Sequence, residues 1–147
     1  MELGKRIEKF IATRPHSRAE IENYLKHRLS LAEPELSEWL RRIEELGLSN
    51  DNAFADFWIN SRLNRKSYGL EKIRAELLGK GLEPDLIRTK ISELEASSEV
   101  GELMEEKIKY EIEREKSKMH GFDTQKMVQK LTRRGFKLER ILKVVYN

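Results

Sequence analysis

Three stretches of this 147-residue chain resemble one another at intervals of about fifty residues, and that internal repeat restricts the fold more than any single motif. They are SRAEIENYLKHRL from Ser17, GLEKIRAELLGKGL from Gly69 and DTQKMVQKLTRRGF from Asp123. In register, Ile21 falls on Ile73 and Met127, Leu25 on Leu77 and Leu131, and Lys80-Gly81-Leu82 on Arg134-Gly135-Phe136. The apolar pairs are one helical turn apart. Each stretch precedes a further helical pattern. Two of these open alike, EPEL at Glu33 and EPDL at Glu83, and Pro34 and Pro84 suit a first helical turn, where a missing N–H costs nothing.

Alternating apolar and polar residues are rare and Glu, Lys, Leu and Arg dominate, so the chain reads as all-α. The expected helices run over residues 2–13, 17–28 and 34–46, then 51–63, 69–78 and 84–95, then 98–118, 123–134 and 137–146. Ser17 with Glu20 forms a capping box, Asp51 and Asp123 are suitable N-caps, and Gly81 and Gly135 suit helix C-termini. The organisation this gives is three tandem three-helix repeats, at 1–48, 49–96 and 97–147. Units of this size bury too little surface alone and must stack on one another. The expected shape is an elongated, curved array of either hand.

The helix FADFWINSRL, from Phe54, tests that picture. On a wheel of about 100° per residue, its apolar side chains cover roughly 240°, far more than one neighbour needs. It is expected to be wedged between its own repeat and the preceding one, with Trp58 in the core. Arg62 falls inside the apolar arc, where a guanidinium must stack on an aromatic ring, pair with a carboxylate or reach a partner; a structural role is favoured because unpaired burial is costly. Arg65, Lys66 and Tyr68 lie in the loop beyond, where they can touch a partner.

The net charge of +3 is unevenly placed. Residues 1–50 carry nine basic and nine acidic side chains, and 51–98 eight of each. From Glu99 to Glu115 three basic residues face seven acidic ones, whereas from Lys116 to Asn147 nine face two. In the third repeat Lys126, Lys130 and Arg133 line one helix face and Lys137 follows the turn; in the second, Lys72 and Lys80 take the places of Lys126 and Arg134. A basic surface in two successive units fits a polyanion or an acidic groove, and it also fits a merely solvated face.

Motifs for catalysis are missing. His16, His27 and His120 are isolated and form no metal spacing, there is no cysteine, and GKG at Gly79 lacks the rest of a phosphate loop. The expectation is a protein that is not an enzyme, with no cofactor and no metal. The opening MELGKRIEKF lacks the apolar core of a signal peptide and no run is long enough to span a bilayer, so a cytoplasmic monomer without membrane contact is expected.

One block is more specific. LSNDNAFADFWINSRLNRKSYG followed by LEKIRAELLGKGLEPDLI carries, in order, an acidic residue before FA, then W, SR, a Lys three before Gly, EL and KG. It resembles the RecX family of bacterial recombinase regulators, and the likeness extends to TRRGF and to HSRAEIENYL, covering essentially the whole chain. Asp51, Phe54, Trp58, Arg62, Gly69, Gly81 and Gly135 are the structural positions of the pattern. The resemblance implies tandem three-helix repeats and a regulator, in DNA repair, homologous recombination and the SOS response, that binds RecA. It implies inhibition of ATP hydrolysis, strand exchange and coprotease activity from within the groove of the RecA–DNA filament, by blocking growth or promoting disassembly.

The candidate contact residues toward RecA or DNA are Arg65, Lys66, Tyr68, Lys72, Lys80, Lys126, Lys130, Arg133, Arg134 and Lys137. Direct contact with single- or double-stranded DNA is a further option. The first repeat departs from the pattern, with HRLSLAE where the second has LGKG, and Leu48-Ser49-Asn50 stands where the family often has an aromatic and an acidic residue. Two other readings remain open. A helix-turn-helix regulator could read DNA with residues 34–46, although that helix is rich in Glu; a purely protein-binding scaffold would need no basic stripe.

Overall fold

The computed structural model describes residues 2–65, 67–118 and 121–147, and every regular element among them is helical. The first repeat contains α1 (Leu3–Ala12), α2 (Arg18–Asn23), which runs on through a π-helical turn at Tyr24–Arg28, and α3 (Glu35–Glu45). The second contains α4 (Asp51–Leu63), α5 (Leu70–Gly79) and α6 (Pro84–Ala96). The third contains α7 (Ser98–Lys116), α8 (Thr124–Arg133) and α9 (Leu138–Val145). Among the described residues no helix is long and apolar enough to cross a membrane.

Local chemistry starts these helices where it should. Ser17 and Glu20 bond each other's backbone N–H reciprocally, at 3.1 Å in both directions, and Asp123 accepts from the Lys126 N–H. The cap of α4 corrects the sequence reading. Asn50, not Asp51, accepts the Ala53 N–H, at 3.0 Å, from an extended backbone. Asp51 enters the first turn, where a carboxylate suits the helix dipole, and accepts the Arg18 N–H of the first repeat at 2.8 Å.

The repeated apolar pairs form the floor of the fold: Ile21, Ile73 and Met127, with Leu25, Leu77 and Leu131, are all buried. They do not form one core. Ile7, Ile21, Leu25, Leu36 and Ile43 make a cluster confined to the first repeat, while a second cluster runs unbroken from Phe54 through Ile91 and Met104 to Ile141. Phe54, Ala55 and Ile59 of α4 belong to this second core, and Trp58 is half-buried at its edge rather than inside it. The accessible surface, 9503 Å², exceeds the roughly 7,900 Å² of a compact monomer of this mass, which describes an extended molecule.

Successive repeats meet end to end through their middle helices. At the second joint the Gly69 N–H, at the start of α5, donates to the Arg134 carbonyl at 3.0 Å, and the Glu71 N–H to the Gly135 carbonyl at 2.9 Å. At the first joint the Ser17 hydroxyl, at the start of α2, donates to the Lys80 carbonyl at 2.8 Å. At the second joint the orphan donors of one helix thus meet the orphan carbonyls of the next, and at the first a cap hydroxyl meets such a carbonyl. The approach excludes side chains. A Cβ on Gly135 would lie 2.3 Å from the Lys72 nitrogen, one on Gly69 2.4 Å from the Gly135 carbonyl carbon, and one on Gly81 2.5 Å from the Ala19 Cβ. Gly81 and Gly135 also have φ of +82° and +93°.

The π-helical turn explains why the first repeat breaks the pattern. Leu82 and Phe136 bond back to Leu77 and Leu131, five residues earlier, but Leu31 bonds to Leu25, six residues earlier, at 2.9 Å. One extra residue is taken up as a π turn. Ser30, with φ +55°, then stands where the later repeats have Gly81 and Gly135.

The joints predict an asymmetry among glycines. Gly135→Ala combines a left-handed backbone with overlap against Lys72 and costs about 3 kcal/mol or more in urea unfolding. Gly79→Ala, where a Cβ meets nothing within 4 Å, is neutral or stabilising by up to about 1 kcal/mol. Equal effects at the two positions would contradict the joint.

Candidate partner-binding surface

The end of α4 and the loop into α5 form a knot of cations around two aromatic rings. Arg62 is mostly buried, its Nε donates to Glu76 at 3.0 Å, and its guanidinium carbon lies 4.2 Å from the Trp58 ring centre and 5.0 Å from that of Tyr68. The Trp58 indole N–H donates to the same Glu76 oxygen at 3.3 Å. A guanidinium in the apolar arc is thus paired and stacked at once. Lys72 Nζ approaches the Tyr68 ring at 4.3 Å and Arg65 at 5.8 Å. Below the loop, the buried Lys107 donates to the Tyr68 carbonyl at 2.9 Å. Burial pushes its ammonium down to about 8, which leaves it charged at neutral pH. The knot holds Tyr68 rigidly and leaves Arg65 exposed; Lys66 lies outside the described residues, as does His120.

Lys80 and Arg134, equivalent by sequence, both turn inward, Lys80 across the first joint and Arg134 onto α7 of its own repeat. Lys80 Nζ bonds Glu20 at 3.1 Å and stands 4.8 Å from the Trp58 ring centre. Glu20 also receives Arg14 at 2.7 Å, and Arg14 reaches across to the Phe54 and Trp58 rings, each at 5.8 Å. Arg134 bonds the buried Glu111 of α7 at 2.5 Å. Sequence reasoning placed Lys80 and Arg134 on an outward stripe, gave Glu20 only its capping role, and did not single out Arg14, Lys107 or Glu111. The KG and RG pairs after each middle helix were the available signal, since a cation beside a close-approach glycine must find its carboxylate in the neighbouring element.

The third repeat keeps exposed cations. Lys126, Lys130 and Arg133 line a shallow concavity of α8 with Glu115, Gly121 and Phe122. Lys130 is tied to Glu115 at 3.2 Å, whereas Lys126 and Arg133 are exposed. Lys137 meets Glu95 of α6 at 2.9 Å on the surface. The candidate residues thus fall into a knot around Tyr68, two inward-turned cations and a basic face on α8. Among the described residues no group of three or more His, Asp or Glu side chains is placed to hold a metal ion.

Tandem three-helix units, with basic side chains on successive repeats, define a helical-repeat protein. The family model for the second three-helix domain of RecX matches residues 50–90. The chain is similar to the regulatory protein RecX of Streptomyces lividans, 31% identical over 135 residues, 89% of this chain and 69% of that one. It is 33% identical over 90 residues to the regulatory protein RecX of Chlorobium phaeobacteroides (strain BS1), a match that spans 61% of this chain and 59% of that protein. The crystal structure of RecX from Lactobacillus salivarius shares the fold, with a TM-score of 0.79 at 20% identity over 97% of this chain and 91% of that one. The chain belongs to the RecX family of regulatory proteins.

The first joint is acid-sensitive. Burial opposes charge on Glu20, but hydrogen bonds from Arg14, Ser17 and Lys80 outweigh it and hold the carboxyl at about 2, below its usual 4.5. Burial, and then the Arg14 cation, lower His16, whose Nδ1 is enclosed without a hydrogen-bond partner. A depressed carboxylate stabilises above its unfolded value and loses that contribution as pH falls through its folded one. Between pH 4.5 and about 2 the stability due to Glu20, on the order of 2 kcal/mol, disappears. Urea unfolding of the protein and of Glu20→Gln should therefore differ at pH 6, approach one another below pH 4.5 and converge at about pH 2. A difference independent of pH would contradict this account.

Proposed function

We propose that this protein binds the RecA recombinase on DNA and restrains its ATP hydrolysis, strand exchange and coprotease activities. The observation that carries the reading is the chain-wide match to RecX regulatory proteins. The units, which we place at 1–48, 49–96 and 97–147, form a row whose second and third members carry exposed cations. Arg65 is exposed beside Tyr68 on one, with Lys72 half-buried against the same ring, and Lys126 and Arg133 are exposed on the other. An extended basic row suits a filament groove, where phosphates and acidic side chains recur at regular spacing. Lys80 is tied to Glu20 of the first repeat and Arg134 to Glu111 within the third, so neither is free to lead the contact with a partner.

A major-groove reading by the first repeat is less well supported. The outer surface of α3 exposes Glu35, Glu38, Glu44 and Glu45, which would face DNA phosphates with like charge.

The test is RecA's DNA-dependent ATP hydrolysis, titrated with the protein. Wild type lowers the rate. Lys126→Glu with Arg133→Glu raises the half-inhibitory concentration about tenfold or more, because both cations are exposed and their reversal turns attraction into repulsion. Unfolding of the double variant in urea is unchanged within about 0.5 kcal/mol, as expected for surface positions. Full inhibition by the variant would move the interface off α8, and no inhibition by wild type would sink the proposal.

A further inference from the structure

The last helix carries an apolar stripe that the fold does not use. Leu138, Leu142 and Tyr146 follow one another at one-turn spacing and are 51%, 38% and 73% exposed, while Ile141 beside them is fully buried and fixes α9 on the core. Single exposed apolar residues are ordinary, but three in line on one helix face are not.

The second repeat supplies an internal control. Gly81-Leu82 and Gly135-Phe136 occupy equivalent places, so α6 and α9 align residue by residue. Their inward positions agree: Ile87 matches Ile141 and Ile91 matches Val145, all packed on the same core. The outward positions differ. Pro84, Arg88 and Ser92, all exposed, stand where α9 has Leu138, Leu142 and Tyr146. The same helix in the same setting therefore does without an apolar outer face, and packing gives no reason for Leu142 and Tyr146.

The rim of the stripe gains two lysines in parallel, while the exposed Glu139 keeps the acidic charge of Asp85. Glu83 and Thr89 of the second repeat become Lys137 and Lys143, 50% and 61% exposed. Lys137 rests on Glu95 and Lys143 on Glu105, each at 2.9 Å, and exposed pairs of this kind exchange partners at little cost. A nucleic acid would take the two lysines but has no use for the leucines between them. We propose that the outer face of α9 docks an acidic helical segment of a protein partner. Its apolar side chains pack on Leu138, Leu142 and Tyr146, and its carboxylates take Lys137 and Lys143 from Glu95 and Glu105. Resting on the functional reading above, the segment belongs to the RecA subunit.

Leu142→Arg with Tyr146→Ser installs the side chains that α6 carries and should leave thermal unfolding unchanged. The first arm uses a fluorescein-labelled synthetic helix with leucines along one face and glutamates elsewhere, followed by anisotropy. Wild type binds it, the double variant binds about tenfold more weakly or worse, and a lysine-for-glutamate version of the peptide is not bound. No binding by wild type, or equal binding by the variant, overturns the docking surface. So do self-association in sedimentation, or binding to phosphatidylglycerol vesicles, that the variant abolishes, because either gives the face another occupant. The second arm measures affinity for RecA filaments on single-stranded DNA, where the variant again loses about tenfold. Equal filament affinity overturns the assignment to RecA. If wild type binds no filament, the functional reading falls, and the peptide arm still decides the surface.

Discussion

The close approach of helix ends at the two joints is the constraint on which the rest of the molecule depends. A helix leaves several donors unsatisfied at its start and several carbonyls at its end, and a ten-residue helix such as α5 or α8 has a large share of its backbone in that condition. Here the end of α8 completes the start of α5, and the end of α5 in turn receives the cap hydroxyl of α2. The contact is short enough that Gly69 and Gly135 admit no side chain. The repeat length, the position of the glycines and the basic residue before each of Gly81 and Gly135 follow from that one contact.

The two joints are not equal. The second sits over an apolar core that is continuous through the second and third repeats. The first repeat has a core of its own and meets the second through Ser17, Arg18 and Asp51, and the Arg14, Glu20 and Lys80 cluster. Hydrogen-bonded charges at a half-buried contact hold it together only while all partners are ionised, so this joint is expected to weaken in acid. Among the basic side chains that the joints leave over are Arg65 and the half-buried Lys72 around Tyr68, and Lys126 and Arg133 on α8.

Much of this was legible in the sequence, because it is written in short-range chemistry. Helix spans followed from periodicity, the capping box at Ser17 from its spacing to Glu20, and the left-handed ends from Gly81 and Gly135. What escaped depended on contacts between residues far apart in the chain. Lys80 and Arg134 lie on a basic stripe by spacing, and only the fold reveals that both turn inward, onto Glu20 and Glu111. Asp51 has the chemistry of a cap, but Asn50 takes that place while Asp51 reaches Arg18. Lys107 and Glu111 sit in the most highly charged helix of the chain and read as solvated, yet both are buried, one beneath the Tyr68 loop and the other against Arg134. HRLSLAE looked like a broken repeat and is the same repeat with one residue more.

Hydrogen exchange of the protein with and without RecA filaments assembled on single-stranded DNA tests the central claim most directly, because it reads every repeat at once. The account predicts new protection in the loop around Tyr68, along α8 and on α9, with α3 and the Glu-rich outer surface of the first repeat unchanged. Protection confined to α3, with none on the second and third repeats, would contradict it.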